Sequence, residues 1–426
     1  MRVHIPVFKI SKRDIKRENL MKFPQIGPAF LVTAAFIGPG TVITASIAGA
    51  NYGFALLWAL LFSVIATLIL QEMTARLGIV TQQGLGENIR RICKTPLWRY
   101  LSIALVLSAI VIGNSAYQSG NLSGASLGLV SIFENSGIFI PFAHSLFPAL
   151  IGLFAFFLLI SGSYKLIEKA LIALVALMSF AFIITFLLTK PDVAALFSGL
   201  FTPIIPEGAT LTVIALIGTT VVPYNFFLHA TSVSKKWQSP AQLNDARKDL
   251  IISIPLGGLI SMAILSTAAM AFFGKQITIT SAADIAPSLQ PLFGDMASIF
   301  IGIGLFAAGI SSAVTAPLAA AFALSGILDL NKNLHAKSFK IIWLTVLFLG
   351  VLGASLGYKP VAIIWFARVA NGILLPVVTI FLLWIMNSKI LGEYKNNRWQ
   401  NILGVIVVLV SILLSGRSLL SAFALL

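Results

Sequence analysis

Acidic residues, histidine and cysteine are all scarce in this sequence. Among 426 residues there are 14 Asp or Glu, 4 His and a single Cys. The one cysteine, Cys93, excludes an intramolecular disulfide framework and a thiolate metal cluster within one chain. The histidines are not spaced as zinc ligands, and no glycine-rich phosphate loop follows a strand. The sequence therefore predicts no cofactor, no resident metal, no ATP-driven pump and no enzyme activity.

Hydrophobic residues dominate instead. They make up 58% of the chain, charged residues make up 10%, and the mean hydropathy is +0.97. Because ordinary soluble domains do not have this composition, the chain is predicted to be an all-α integral membrane protein. A basic arm, residues 1–26, precedes the first hydrophobic run without a small-residue cleavage pattern. This favours a first membrane helix over a removable signal peptide.

The net charge of +15 is distributed unevenly along the chain. Basic residues recur between alternate hydrophobic segments, whereas the intervening loops hold little more than Lys190, Lys275 and Lys359. This asymmetry predicts a multi-pass protein of the inner (plasma) membrane, with a cytoplasmic N-terminus and the C-terminus outside. It also explains the excess of positive charge without a nucleic-acid partner.

Hydrophobic runs predict eleven membrane helices, since about 20 apolar residues span a bilayer. Two of these segments, the first and the sixth, contain a short break with proline: Gly38-Pro39-Gly40-Thr41 and Val222-Pro223-Tyr224-Asn225. The predicted helices cover residues 27–50, 54–79, 99–129, 138–161, 165–189, 210–233, 249–273, 297–328, 339–357, 360–386 and 400–425.

Paired breaks at matching positions of two halves indicate a transport site. In lipid an unwound backbone survives only where protein or a cavity provides partners for its N–H and C=O groups. We therefore predict two inverted repeats, residues 27–190 and 210–386, on the plan of LeuT-type transporters, followed by a peripheral helix at 400–425.

Five short segments, on and around the broken helices and on two other helices, carry further information. They are Gly-Pro-Ala-Phe at 27–30, Ala-Gly-Ala-Asn-Tyr-Gly at 48–53, Gln-Glu-Met-Thr-Ala-Arg-Leu-Gly-Ile-Val-Thr at 71–81, Asn-Phe-Phe-Leu-His at 225–229 and Ala-Ala-Gly-Ile-Ser-Ser at 307–312. In this order, and over most of the chain, these segments resemble the Nramp family of proton-coupled divalent-metal transporters.

The side chains on which the family's metal chemistry depends are changed here. Its first break reads Asp-Pro-Gly-Asn, so Gly38 replaces a carboxylate and Thr41 replaces an amide. Its second break reads Met-Pro-His-Asn, where this chain has Val222 and Tyr224 and retains only Asn225.

Two further departures concern the third and tenth helices. Acidic residues linked to proton movement in the family's third helix align with Asn114 and Tyr117, and a glutamine of its tenth helix aligns with Arg368. Relative to the family, the predicted site has lost an acid and gained a permanent cation.

Charge then favours an anion as the solute. Two unit charges about 5 Å apart interact by roughly 3 kcal/mol at an effective dielectric constant near 20, so a dication beside Arg368 would be repelled by about 6 kcal/mol. A carboxylate could instead bind the guanidinium with two parallel hydrogen bonds. Gly40 allows close approach to the backbone, and Thr41 and Asn225 supply further donors.

Other polar residues have both a structural and a functional interpretation. Thr219 could cap its half-helix or line the site. His229, Glu72 and Arg76 are candidates for coupling, although a hydrogen-bonded buried histidine and an i,i+4 ion pair are the ordinary alternatives.

The leading hypothesis is a secondary transporter that works by alternating access and moves a small anionic or zwitterionic solute of carboxylate or bicarbonate size, coupled to a proton or another cation. One alternative is a divalent-metal transporter for manganese, iron or magnesium, as the resemblance implies. The other is a receptor or scaffold that retains the fold without transport. The predicted partners are the solute, the coupling ion and the lipid bilayer.

Overall fold

The computed structural model describes residues 27–138, 140–161, 165–275 and 277–422, so the basic arm lies outside the described residues. All the regular secondary structure in this part of the chain is helical. Its helices are α1 (Pro28–Phe36), α2 (Pro39–Tyr52), α3 (Leu57–Thr81), α4 (Leu85–Ile92), α5 (Pro96–Leu107), α6 (Gly113–Asn135), α7 (Ala143–Ser161), α8 (Lys165–Leu188), α9 (Val193–Phe201), α10 (Thr210–Thr220), α11 (Pro223–Lys236), α12 (Leu243–Phe272), α13 (Gln290–Phe293), α14 (Ala297–Leu328), α15 (Lys337–Ser355), α16 (Pro360–Met386) and α17 (Arg398–Ala422).

Several shorter helical turns link these elements. A π-helical turn, Ser108–Ile112, joins α5 to α6 without interrupting the span. Turns of 3₁₀ helix occur at Pro240–Gln242, Ala283–Ser288, Gly294–Met296 and Lys389–Tyr394.

The predicted membrane spans are confirmed. Within the described residues ten spans are long and apolar enough to cross a membrane, and the bent pair of α1 and α2 completes an eleventh. Several boundaries differ from the prediction: the third span starts at Pro96 and continues to Asn135, and the seventh starts at Leu243. Residues 423–425 of the predicted last helix lie outside the described part of the chain.

Helices α4 and α9 were not predicted. Both are short, and α4 is amphipathic, with Leu85 and Ile89 buried and Arg91 exposed. A search for long apolar runs passes over such segments because they contain too few apolar residues to span a bilayer.

Both predicted breaks are present and have the same backbone arrangement. Gly38 and Val222 have extended backbone angles, and Pro39 and Pro223 each begin the following half-helix. Proline suits the first helical position because its fixed φ fits a helix and the missing N–H has no partner there in any case. In the first break the axes of α1 and α2 differ by 53°.

Glycines bring α6 close to its neighbours. A Cβ added at Gly120 would lie 3.1 Å from the side chain of Ala367 on α16, one at Gly124 2.1 Å from Pro39 in the first break, and one at Gly128 2.4 Å from the carbonyl oxygen of Gly302 on α14. Small residues spaced by one helical turn permit such close packing in membranes. The central helix α6 is thereby held against the break.

Two prolines inside helices have polar partners on neighbouring helices. Pro317 cannot donate to the carbonyl of Ala313, which instead accepts a hydrogen bond from Gln118 Nε2 at 2.9 Å. Pro376 leaves the carbonyl of Gly372 free in the same way, and Ser415 Oγ donates to it at 3.1 Å. These bonds fix α14 against α6, and α16 against α17.

Candidate functional site

Arg368 lies in the interior of α16 and is completely buried. Its guanidinium carbon sits 3.9 Å from the centre of the Tyr117 ring, which is a cation–π contact. Among the residues that the structure describes, none donates to or accepts from its three side-chain nitrogens, and no acidic residue forms an ion pair with it. A buried guanidinium without a counter-ion is unusual, since the desolvated charge is not offset.

Glycines on two other helices make room for this side chain and its backbone. A Cβ on Gly40, in the first turn of α2, would lie 1.7 Å from Arg368 Nε. A Cβ on Gly218 of α10 would lie 2.1 Å from the carbonyl oxygen of Arg368. The guanidinium therefore lies directly against the backbone at the start of α2, where only glycine fits.

Gly38 also faces the guanidinium. A Cβ built at this position would lie 3.2 Å from Ser312 Oγ and 3.9 Å from Arg368 Nη2. A side chain at position 38 would therefore point towards the cation. The predicted proximity of the first break and Arg368 thus agrees with the geometry, although no carboxylate occupies this position.

Two tyrosines connect the breaks. The rings of Tyr117 and Tyr224 pack edge to face with their centres 5.2 Å apart. Tyr117 Oη donates to the carbonyl of Ala35 at 3.1 Å, near the end of α1. Tyr224 Oη is buried and has no hydrogen-bond partner among the described residues.

The remaining predicted site residues divide into two groups. Both amide atoms of Asn225 are buried and have no hydrogen-bond partner within the described part of the chain. Thr41 donates to the carbonyl of Phe36, Thr219 to that of Leu216 at 2.7 Å, and Asn114 to that of Ala316 at 3.2 Å. The bonds of Thr41 and Thr219 stabilise the backbone at the breaks, and that of Asn114 links α6 to α14. Val222 packs in the apolar core.

The coupling candidates lie in two other networks. His229 Nδ1 is 2.7 Å from Gln71 Oε1 on α3, and its Nε2 is buried without a partner. Glu72 accepts hydrogen bonds from Arg76 at 3.0 Å and from Arg247 of α12 at 2.8 Å. Arg76 also donates to Asn396 and to the carbonyl of Tyr394. The latter network links α3 and α12 to the segment before α17.

Sequence reasoning missed some buried polar groups near the site. Asn121, one helical turn beyond Tyr117, is fully buried and neither of its amide atoms has a partner. Ser312 lies beside Gly38, and Gln71 is the partner of His229. The number of amide side chains in α6 was the available signal, because an uncompensated amide is costly inside a membrane helix.

These residues form a compact donor-rich centre. Arg368, Tyr224 and Asn225 are buried and have unpaired polar atoms, and the N-terminal end of α2 contributes the positive end of a helix dipole. Within the described residues no group of three His, Cys, Asp or Glu side chains is arranged to hold a metal ion. The unpaired polar atoms of this centre belong to a guanidinium, a phenol and an amide.

A bundle of membrane helices, two of them broken around a buried polar centre, defines the chain as a multi-pass transporter-type membrane protein. The sequence matches the family profile described as natural resistance-associated macrophage protein-like (Nramp) over residues 29–421. The chain belongs to the Nramp family. Relatives of the chain include metal transporters, which are not enzymes.

Known relatives agree with this assignment. The divalent metal cation transporter MntH of Yersinia pestis (strain Pestoides F) is 27% identical over 416 residues, which cover 96% of this chain and 97% of the relative. The manganese transporter of Eremococcus coleocola has a TM-score of 0.74 at 21% identity, covering 93% of this chain and 86% of that one. MhsT bound to L-phenylalanine has a TM-score of 0.62 at 15% identity, covering 92% and 98%. The fold is therefore the LeuT-type fold with broken first and sixth helices.

Proposed function

We propose that the chain is a secondary transporter whose central site binds a small anionic or zwitterionic solute of carboxylate or bicarbonate size. The observation that supports this most strongly is the fully buried guanidinium of Arg368, whose three nitrogens have no partner. A carboxylate bound there would supply the missing counter-charge and accept two parallel hydrogen bonds. The amide of Asn225 and the hydroxyl of Tyr224 are then available as further donors.

Electrostatics disfavours the substrate named for the relatives. MntH of Yersinia pestis is a divalent metal cation transporter. In this chain Gly38 offers no carboxylate, and a dication about 5 Å from Arg368 would be repelled by about 6 kcal/mol at an effective dielectric constant near 20. A divalent metal is the second candidate, and its binding would require Arg368 to turn away from the centre.

Alternating access between two halves is the proposed mechanism. The halves are the repeats at residues 27–190 and 210–386, with α17 at the periphery. The site residues are almost completely buried, which corresponds to an occluded step of such a cycle. Movement of the two broken membrane helices, α1 with α2 and α10 with α11, against the remaining helices would open the site to one side at a time. The coupling ion is a proton or another cation, with His229, Glu72 and Arg76 as candidate residues.

The proposed orientation follows from the basic loops. An N-terminus in the cytoplasm and a C-terminus outside, in the plasma membrane of the cell, place the exposed Arg91 and Lys94 on the cytoplasmic side.

The test is uptake into proteoliposomes of labelled acetate, bicarbonate and manganese(II), by the wild-type chain and by Arg368→Gln. We expect uptake of at least one of the anions, its loss in the variant, and no manganese uptake by the wild type. Manganese uptake that is unchanged or improved by the substitution would support the cation alternative instead. Failure to move or bind any solute of a wider panel would support a receptor or scaffold.

A further inference from the structure

A charged cavity lies where the short helix α4 packs against the end of α14. Its volume is about 490 Å³. Five basic side chains line it, namely Arg90, Arg91, Lys94, Arg99 and Lys332, and the two acidic ones are Glu87 and Asp329. The lining therefore has a surplus of three positive charges.

Both acids are already paired. Asp329 forms an ion pair with Arg90, and Glu87 forms one with Lys332. Arg91, Lys94 and Arg99 have no ion pair or hydrogen bond from their side chains to any described residue. The positive-inside rule explains why basic residues lie in this loop, but not why they converge on one cavity. An anion bound there would have three cations free to contact it.

Close helix packing gives the cavity a fixed frame. A Cβ on Gly86 would lie 2.7 Å from the carbonyl oxygen of Ala323 on α14, and one on Gly326 would lie 2.4 Å from Glu87 Oε2. Cys93, which also lines the cavity, is buried. The basic residues thus project from a short helix that is packed tightly onto a membrane span.

The surface beside the cavity is suited to lipid. Arg99 belongs to the first turns of α5, where Leu97 is 75% exposed and Tyr100 72% exposed. Trp98 is also exposed and contacts Trp384 at the end of α16. Exposed aromatic and apolar side chains at the start of a membrane helix lie at the level of the lipid headgroups. The acyl chains of a lipid whose headgroup occupies the cavity can therefore lie along α5.

We propose that this cavity binds the phosphate headgroup of an anionic phospholipid in the adjoining leaflet, through Arg91, Lys94 and Arg99. Arginine and lysine form charge-assisted hydrogen bonds with phosphate, and basic pockets between membrane helices bind anionic headgroups. The lipid would join α4, α5 and α14 at this end of the bundle. The proposal is independent of the solute that the central site binds.

The test uses the full-length purified chain in detergent and native mass spectrometry with added phosphatidylglycerol, phosphatidylcholine or inorganic phosphate. The variant Arg91→Gln/Lys94→Gln/Arg99→Gln removes the three unpaired cations. The matched control, Lys389→Gln/Lys395→Gln/Arg398→Gln, removes the same charge from exposed positions elsewhere.

Phosphatidylglycerol should bind more tightly than phosphatidylcholine to the wild type. The cavity variant should bind it roughly 100-fold more weakly, while the control should retain most of its affinity. An equal loss of phosphatidylglycerol affinity in the two variants would mean that net charge alone explains the binding, and this would overturn the proposal. Equal binding of the two lipids would also overturn it. Binding of inorganic phosphate without a lipid preference would assign the cavity to a soluble anion and refute the lipid. The thermal midpoint without lipid shows whether each variant is folded.

Discussion

Replacing Gly38 by Asp should stabilise the folded protein and weaken its binding of anions. The Cβ of this residue would lie 3.9 Å from Arg368 Nη2. A carboxylate oxygen lies roughly 2.4 Å from its Cβ, so it can reach hydrogen-bond distance of the guanidinium. The backbone at Gly38 has φ −115°, which any residue can adopt. Only Ser312 Oγ, at 3.2 Å from the Cβ, must adjust.

Two effects of opposite sign follow from this geometry. A hydrogen bond to a buried charged group contributes about 2 kcal/mol, so the free energy of unfolding and the thermal midpoint should rise. A bound anion about 5 Å from the new carboxylate would be repelled by roughly 3 kcal/mol, which corresponds to a loss of affinity of roughly 100-fold. Gly38→Asn is the matched control because it has the same shape and can also cap α2, but has no charge.

The assays are thermal unfolding of the ligand-free protein in detergent and uptake of labelled acetate and bicarbonate into proteoliposomes. Gly38→Asp should unfold at a higher temperature than Gly38→Asn and lose uptake that the Asn variant largely keeps. Equal midpoints for the two variants would mean that position 38 does not face an unpaired guanidinium. Equal uptake would refute the role of Arg368 in anion binding. The unfolding test needs no knowledge of the natural solute.

Three further predictions address the frame of the site and one loop. Gly40→Ala should destabilise the fold by about 2 kcal/mol and abolish anion uptake, because the added Cβ would displace Arg368. The control Gly416→Ala, whose Cβ would enter open space, should do neither. Equal thermal midpoints of the two variants would contradict this prediction. Tyr224→Phe should leave the thermal midpoint within a few degrees of the wild type and raise the KM for the transported anion several-fold, since it removes an unpaired hydroxyl; an unchanged KM would exclude that hydroxyl as a ligand. Burial opposes ionisation of Asp284, but hydrogen bonds from Thr280 and Ser281 outweigh it and lower the pKa of this carboxyl. The ionised carboxylate therefore stabilises the fold above the ordinary carboxyl pKa, and this stabilisation is lost as the pH falls through the lowered pKa. Asp284→Asn should lower the thermal midpoint at pH 7 and change it little at strongly acidic pH. A difference in midpoint that is the same at all pH values would contradict this prediction.

The spans and the breaks were predictable because they depend on local chemistry. The bounds of α14 agree with the prediction, and so do those of α16, since each is a long apolar run with clear polar ends. Pro39 and Pro223 predicted the two breaks because proline cannot continue the hydrogen bonds of the preceding helix. Short amphipathic helices such as α4 follow a different pattern and were missed.

The structure brings several of the predicted site residues together, and their roles in binding stay predictions. Alignment with the family's tenth helix identified Arg368, and the structure places it against Gly40 and Tyr117. That its guanidinium has no partner could not be predicted, because this depends on which acids approach it from other helices. The bond of the Thr219 hydroxyl within its own helix corresponds to one of the two alternatives that the sequence left open for this residue.

Calorimetric titration of the purified wild-type chain and of Arg368→Gln with acetate, bicarbonate and manganese(II) tests the central claim most directly. An anion-binding Arg368 predicts saturable heat with at least one of the two anions in the wild type, its loss in the variant, and no saturable heat with manganese. Micromolar binding of manganese by the wild type, retained in the variant and without any anion binding, would contradict it.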